Sequence, residues 1–82
     1  SENAMKRDLA SMQEADTLLV LNFAKRGIEN YIGGNTLLEI CMGYMHDKKL
    51  FFYNPIPEIP YYQSELEAMQ PIILNGDLTK IA

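Results

Sequence analysis

The sequence has little of several residue types, and each shortage excludes a class of protein. It holds one cysteine, Cys41, among 82 residues, so no disulfide can form within the chain. Lys and Arg number 7 against 11 Asp and Glu, and the formal net charge of -4 argues against a nucleic-acid polymer as partner. No apolar run approaches the ~20 residues that cross a bilayer, so no membrane partner is expected. A lone thiol fits a reducing compartment, and we expect a cytoplasmic protein.

What the sequence does have is apolar content, because 48% of its residues are hydrophobic. A chain of this length suits one small domain. Its apolar side chains must then be covered inside that domain or against a partner. Residues 1–4 resemble a remnant of tag removal, so we expect the native start at Met5 and a single domain over residues 5–82.

The hydrophobic pattern predicts alternating helices and strands. Apolar runs of strand length, continuous or nearly so, occupy residues 17–23, 50–53 and 72–74. Helices are predicted over residues 6–15, 36–46 and 64–70, with a last helical turn capped by Asp77. The second of these helices is apolar around most of its circumference, so we expect it to be buried. The third opens with the S-x-x-E spacing of a capping box, Ser64 to Glu67.

This order of elements predicts an α/β fold. Helices alternating with strands form parallel sheets through right-handed crossovers. We therefore expect a three-layer Rossmann-like or flavodoxin-like fold with a small parallel sheet that lacks the first βαβ unit. The edges of such a narrow sheet need cover, and we expect a homodimer.

In open α/β sheets, ligands bind beyond the carboxyl ends of the strands. The loop after the first predicted strand begins at Asn22 and is rich in glycine. It leads into the N-terminus of the apolar helix, where free N–H groups favour a polar or anionic ligand. The predicted ligand-binding residues are Asn22, Gly33, Gly34, Asn35 and Thr36.

Glu39 is the one acid in the apolar helix, and two interpretations of it stay open. If Thr36 is the N-cap, T-L-L-E forms a capping box in which Glu39 has a structural role. Alternatively, Glu39 faces the cleft as an ionised carboxylate, which can attack a sugar carbon and form a covalent intermediate. His46 has no Cys or acid at ligand spacing, so no metal site is predicted, and no cofactor is expected.

The segment ADTLLVLNF, a glycine loop and then GGNTLLEICMGYMHDKKLFFYN resemble the core of the nucleoside 2-deoxyribosyltransferase-like proteins. Gly34, Thr36, Glu39 and Gly43 carry the match, with Asn35 inserted between the glycine and the threonine. The family starts with a further strand and turn that the residues before Lys6 do not supply.

The resemblance implies a doubly wound α/β fold with Glu39 as the nucleophile. In active members this glutamate takes deoxyribose from one base and passes it to another base or to water. The expected partner is a nucleoside or nucleotide. The alternative is a non-catalytic nucleoside-binding or dimerising module of the same fold.

Overall fold

The computed structural model describes residues 16–81 of the chain. The predicted helix over residues 6–15 lies outside the described residues, as do residues 1–4. The strands are β1 (Thr17–Val20), β2 (Lys49–Phe52) and β3 (Ile72–Ile73), and the helices are α1 (Gly34–Met45), α2 (Gln63–Ala68) and a 3₁₀-helix at Leu78–Lys80. The three predicted strands are confirmed. β1 and β3 are shorter than their apolar runs, and β2 begins one residue earlier than predicted.

The three strands form one parallel sheet in the order β1-β2-β3. Leu18 pairs with Leu50, and Val20 pairs with Phe52, which in turn pairs with Ile73 on the far side. A small parallel sheet in an α/β fold was the prediction, and it is confirmed. The carboxyl ends of all three strands lie at the same edge of the sheet because the strands run in one direction.

Both helices pack on the same face of this sheet. Ile40 of α1 and Leu66 of α2, each 0% exposed, belong to one cluster with Val20, Leu50 and Phe52. Among the described residues the fold therefore has two layers, a sheet and a layer of helices. Burial of these side chains is the main stabilising term, at about 1.5–3 kcal/mol for each large one.

Helix α1 is less buried than the sequence predicts. Within it only Ile40 and Gly43 are buried, whereas Leu38 is 53% exposed and Met45 is 74% exposed. Residues three apart lie on one stripe of a helix, and only the stripe of Leu37, Ile40 and Gly43 is turned toward the sheet. The expectation of a buried helix is wrong for the described part of the chain.

Neither predicted capping box forms. Helix α1 starts at Gly34 with Gly33 as its N-cap, and α2 starts at Gln63 with Tyr62 as its N-cap, both without a side-chain hydrogen bond to the cap. Thr36 is thus inside the first turn of α1. The N–H of Leu37 already donates to the carbonyl of Gly33 (2.9 Å). The capping-box interpretation of Glu39 is therefore wrong.

At the other end of the chain, the predicted cap at Asp77 is confirmed. Its Oδ1 accepts hydrogen bonds from the backbone N–H and the hydroxyl of Thr79. The hydroxyl bond, followed by the backbone bond, holds the pKa of Asp77 below its usual value. A lowered pKa stabilises the folded state at neutral pH, and this contribution is lost as the pH falls through the folded pKa.

Helix α1 ends in a Schellman motif. The N–H of Lys48 donates to the carbonyl of Gly43 (2.9 Å), and that of Asp47 donates to the carbonyl of Tyr44 (3.1 Å). This arrangement requires a left-handed residue just beyond the helix, and Asp47 adopts it with φ 57°. An aspartate there has both steric strain and a negative charge at the negative end of the helix dipole.

We predict that Asp47→Gly raises the free energy of unfolding by about 1 kcal/mol, because glycine adopts positive φ without strain. Chemical denaturation measures the change. Asp47→Asn, which removes the charge but keeps a side chain, should gain less. A glycine variant no more stable than the wild type would contradict the left-handed cap.

Candidate functional site

The loops after β1 and β2 are joined by paired asparagines. The side-chain N–H₂ group of Asn22 donates to the carbonyls of Asn54 (2.8 Å) and Pro55 (3.0 Å), and its Oδ1 accepts from the N–H of Asn54 (2.8 Å). In return, Nδ2 of Asn54 donates to the carbonyl of Asn22 (3.1 Å). These hydrogen bonds fix the carboxyl-end edge of the sheet, where the predicted site lies.

Asn22 was predicted to bind substrate, and the structure gives its side chain a different contact set. It is 1% exposed, and both of its polar atoms bond to the second loop. It does not line either cavity described below. Asn22 therefore acts on the site by positioning the loops.

The glycine-rich loop contains a two-residue turn at residues 25–28. Lys25 and Ile28 exchange both backbone hydrogen bonds, each 3.0 Å. The two central residues, Arg26 (φ 55°) and Gly27 (φ 75°), both have positive φ, as a type I′ turn requires. This turn places Lys25 and Arg26 beside the start of α1.

A cavity of about 510 Å³ lies between this loop and the N-terminus of α1. We call it the loop cavity. Its walls are residues 23–26 and 33–36, together with Leu21 and Tyr31. Four of the predicted ligand-binding residues therefore line one cavity, namely Gly33, Gly34, Asn35 and Thr36. Because the first turn of a helix has N–H groups without intrahelical partners, this wall offers hydrogen-bond donors.

A second cavity, of about 290 Å³, adjoins the first and contains Glu39. We call it the Glu39 groove. It is lined by residues 18–21 of the β1 region and by Tyr31, Thr36 and Glu39. Leu21, Tyr31 and Thr36 line both cavities. A ligand that filled the loop cavity could therefore extend to the carboxylate of Glu39.

The structure adds two aromatic residues to the predicted site. Tyr31 is half-buried and lines both cavities. Phe23 lines the loop cavity with 53% of its surface exposed, and its ring packs edge-on against Tyr53 with centroids 5.2 Å apart. The signal in the sequence was their position, since Phe23 directly follows Asn22 and Tyr31 lies two residues before the glycine pair.

Within residues 16–81 no group of three or more His, Cys, Asp and Glu side chains is arranged to hold a metal ion. No helix in this part of the chain is long and apolar enough to cross a membrane.

Comparisons of the chain with models of protein families, with curated proteins and with solved structures gave no match. The resemblance to the deoxyribosyltransferase-like proteins therefore rests on Gly34, Thr36, Glu39 and Gly43 and on the order of the elements around them.

Proposed function

We propose that this is a cytoplasmic protein that binds a deoxynucleoside or its 5′-monophosphate in the loop cavity and transfers or hydrolyses the deoxyribosyl group with Glu39 as nucleophile. A Rossmann-like, three-layer arrangement of the whole domain belongs to the same proposal. The observation that carries it is the meeting of the two cavities at Tyr31 and Thr36, with Glu39 in the smaller one.

The two glycines at the start of α1 support a ligand at this wall. A methyl group on Gly34 would meet no atom within 4 Å, and one on Gly33 would make ordinary contact, 3.4 Å from the Tyr31 ring. Neither glycine has a positive φ. The packing of the chain therefore does not require glycine at either position, whereas close approach of a ligand to the backbone does.

The charges at the loop cavity favour an anionic substrate. Lys25 and Arg26 line it, and the positive end of the α1 dipole lies on the opposite side. The chain as a whole has a formal charge of -4, so these two cations are a local exception. A 5′-phosphate is the anionic group of a nucleotide, and we infer that a monophosphate binds more tightly than the free nucleoside.

An aromatic wall suits the base. The Phe23 ring is held on one side by Tyr53 and is half exposed at the loop cavity. Stacking of a base on an aromatic ring is worth about 1–3 kcal/mol. It depends little on which base is present, so this contact alone would give a broad base preference.

The chemistry follows from the position of Glu39. A carboxylate oxygen attacks the anomeric carbon, the N-glycosidic bond breaks, and the base leaves with the bonding electron pair. The base takes a proton, for which we assign the Tyr31 hydroxyl as donor, since Tyr31 lines both cavities. A second base or a water molecule then attacks the same carbon, gives its proton to the Tyr31 oxygen and releases the Glu39 carboxylate.

The test is release of free base, measured by chromatography. The full chain is incubated with each of the common deoxynucleosides and with their 5′-monophosphates. Base release above the buffer blank, faster with the monophosphates, is expected. No release and no binding of any of these compounds would overturn the proposal.

A non-catalytic binding module is the second candidate, and one observation favours it. Among the described residues, nothing covers the Glu39 groove along the outer side of β1, and glycosyl transfer profits from exclusion of water. Binding detected by ligand-observed NMR without base release would select this candidate.

Gly34→Ala tests whether glycine at this position serves ligand binding and not the stability of the fold. Alanine is a better helix former by up to about 1 kcal/mol, and the added methyl group meets no atom within 4 Å. We expect the variant to be more stable in thermal unfolding and to bind a deoxynucleotide more weakly. Gly27→Ala is the contrasting control, because Gly27 has φ 75° and alanine there should lower stability. If Gly34→Ala bound the deoxynucleotide as tightly as the wild type does, Gly34 would not belong to the proposed site.

A further inference from the structure

The outer edge of β1 has no partner strand among the described residues. β1 pairs with β2 on one side only. Consecutive strand residues alternate between the two faces of a sheet, yet the Glu39 groove contacts all of residues 18–21. The groove must therefore run along an edge of β1, and the edge away from β2 is the one available.

The hydrogen bonds to β2 show which backbone groups point outward. The carbonyls of Asp16 and Val20 accept from the N–H groups of Lys49 and Tyr53, each at 2.9 Å. Alternate residues of a paired strand bond to the same side. The N–H and C=O groups of Thr17 and Leu19 therefore face the open edge, as does the N–H of Leu21, just beyond β1. The carbonyl of Leu21 accepts from the N–H of Phe23 (3.0 Å).

This edge lacks the features that normally prevent pairing. Residues 17–21 contain no charged residue, no proline and no glycine, whereas natural edge strands are usually protected by lysine, proline or a bulge. β3, the opposite edge strand, has only two residues. The longer and less protected edge is therefore that of β1.

We propose that the β1 edge pairs antiparallel with β1 of a second copy of this chain, about a two-fold axis at Leu19. In the register that overlaps residues 17–21, Leu19 faces its own counterpart and Thr17 faces Leu21 of the other copy. This contact is isologous, as in most homodimers. Because the strand is uncharged, self-pairing places no like charges opposite each other.

The charges that flank β1 favour antiparallel pairing. They also favour a second copy of this chain as the partner at the β1 edge. Asp16 precedes the strand, and the basic turn with Lys25 and Arg26 follows it. Antiparallel pairing brings Asp16 of each copy toward the basic turn of the other, whereas parallel pairing would bring like charges together. The second copy would also cover the open side of the Glu39 groove.

The test is the solution mass of three proteins by light scattering after size exclusion. The wild type should have twice the 9.4 kDa mass of one chain. Thr17→Lys/Leu21→Lys places lysines opposite each other in the proposed register, and its mass should halve. Thr17→Lys/Leu21→Glu places opposite charges there and should remain a dimer. Leu21 is 55% exposed and Thr17 is half-buried, so both positions accept polar residues.

A monomeric wild type would overturn the proposal, and so would a dimer that survives the two lysines. A monomer in both double variants would overturn the antiparallel register. Circular dichroism checks that each variant folds. If the double lysine variant does not fold, hydrogen exchange of the wild type decides, since the Leu19 amide should be protected in a paired edge and exchange freely in an open one.

Discussion

Replacing Glu39 by glutamine is expected to lower the rate of base release from a deoxynucleotide by roughly 10⁴-fold or more, the size of effect that loss of an enzyme nucleophile produces. The amide is nearly the same shape as the carboxylate but cannot attack the anomeric carbon. Binding of the nucleotide should change far less, because the loop cavity and its glycines are untouched. The measurements are initial rates by chromatography and binding by titration.

Glu67→Gln is the matched control. Glu67 is exposed on α2 and lines neither cavity, so its substitution should leave base release unchanged. Thermal unfolding of both variants separates loss of chemistry from loss of fold. Equal rates of base release in Glu39→Gln and the wild type would remove Glu39 from the mechanism, even if the loop cavity binds nucleotide.

The second large effect is expected at Asn22. Asn22→Ala leaves the N–H of Asn54 and the carbonyls of Asn54 and Pro55 without the side-chain partner that they now have. An unsatisfied buried group costs about 1–3 kcal/mol. Asn54 is half-buried and Pro55 is exposed, so water and relaxation of the loops recover part of that cost, and a loss of about 2 kcal/mol is expected. Urea denaturation measures it. Asn35→Ala, at an exposed asparagine, should change stability by less than about 1 kcal/mol.

In the Asn22→Asp variant, the free energy of unfolding should depend on pH. The new carboxylate would face two carbonyl oxygens that now accept hydrogen bonds, and burial also disfavours its charge, so its pKa should rise above about 3.9. A raised folded pKa means that stability is highest when the group is protonated and falls as the pH rises. A variant equally stable at neutral and acidic pH, relative to the wild type, would show that the loops do not hold this side chain.

The sheet was predictable because each strand is a continuous apolar run, which is typical of strands in a parallel sheet. The starts of the helices were not predictable, because the S/T-x-x-E spacing used to place them is only a local pattern. Helix α1 already begins at Gly34, two residues before Thr36, so the spacing falls inside the helix. The exposed side of α1 was missed as well, since periodicity cannot show how many faces of an apolar helix are covered.

The candidate site was likewise predictable only in part. Residues 33–36 and Glu39 lie beside the end of the first strand, a placement that follows from the meeting of strand ends and helix starts in α/β folds. Asn22 has its partner 32 residues away in the chain, and no local pattern specifies such a bond. Tyr31 joins the two cavities through the fold of the loop, which the order of residues alone did not reveal.

The parallel order of the strands has a kinetic consequence. Thr17 pairs with Lys49, and the hydrogen bonds between Asn22 and Asn54 span the same 32 residues. No two strands of the sheet are therefore joined by a short hairpin. The nearer pair of strands, β2 and β3, joins Phe51 to Ile72, so the chain must close a long loop before any sheet contact contributes to stability. Folding should therefore be slow for so small a domain, with α1 forming early and strand docking limiting the rate.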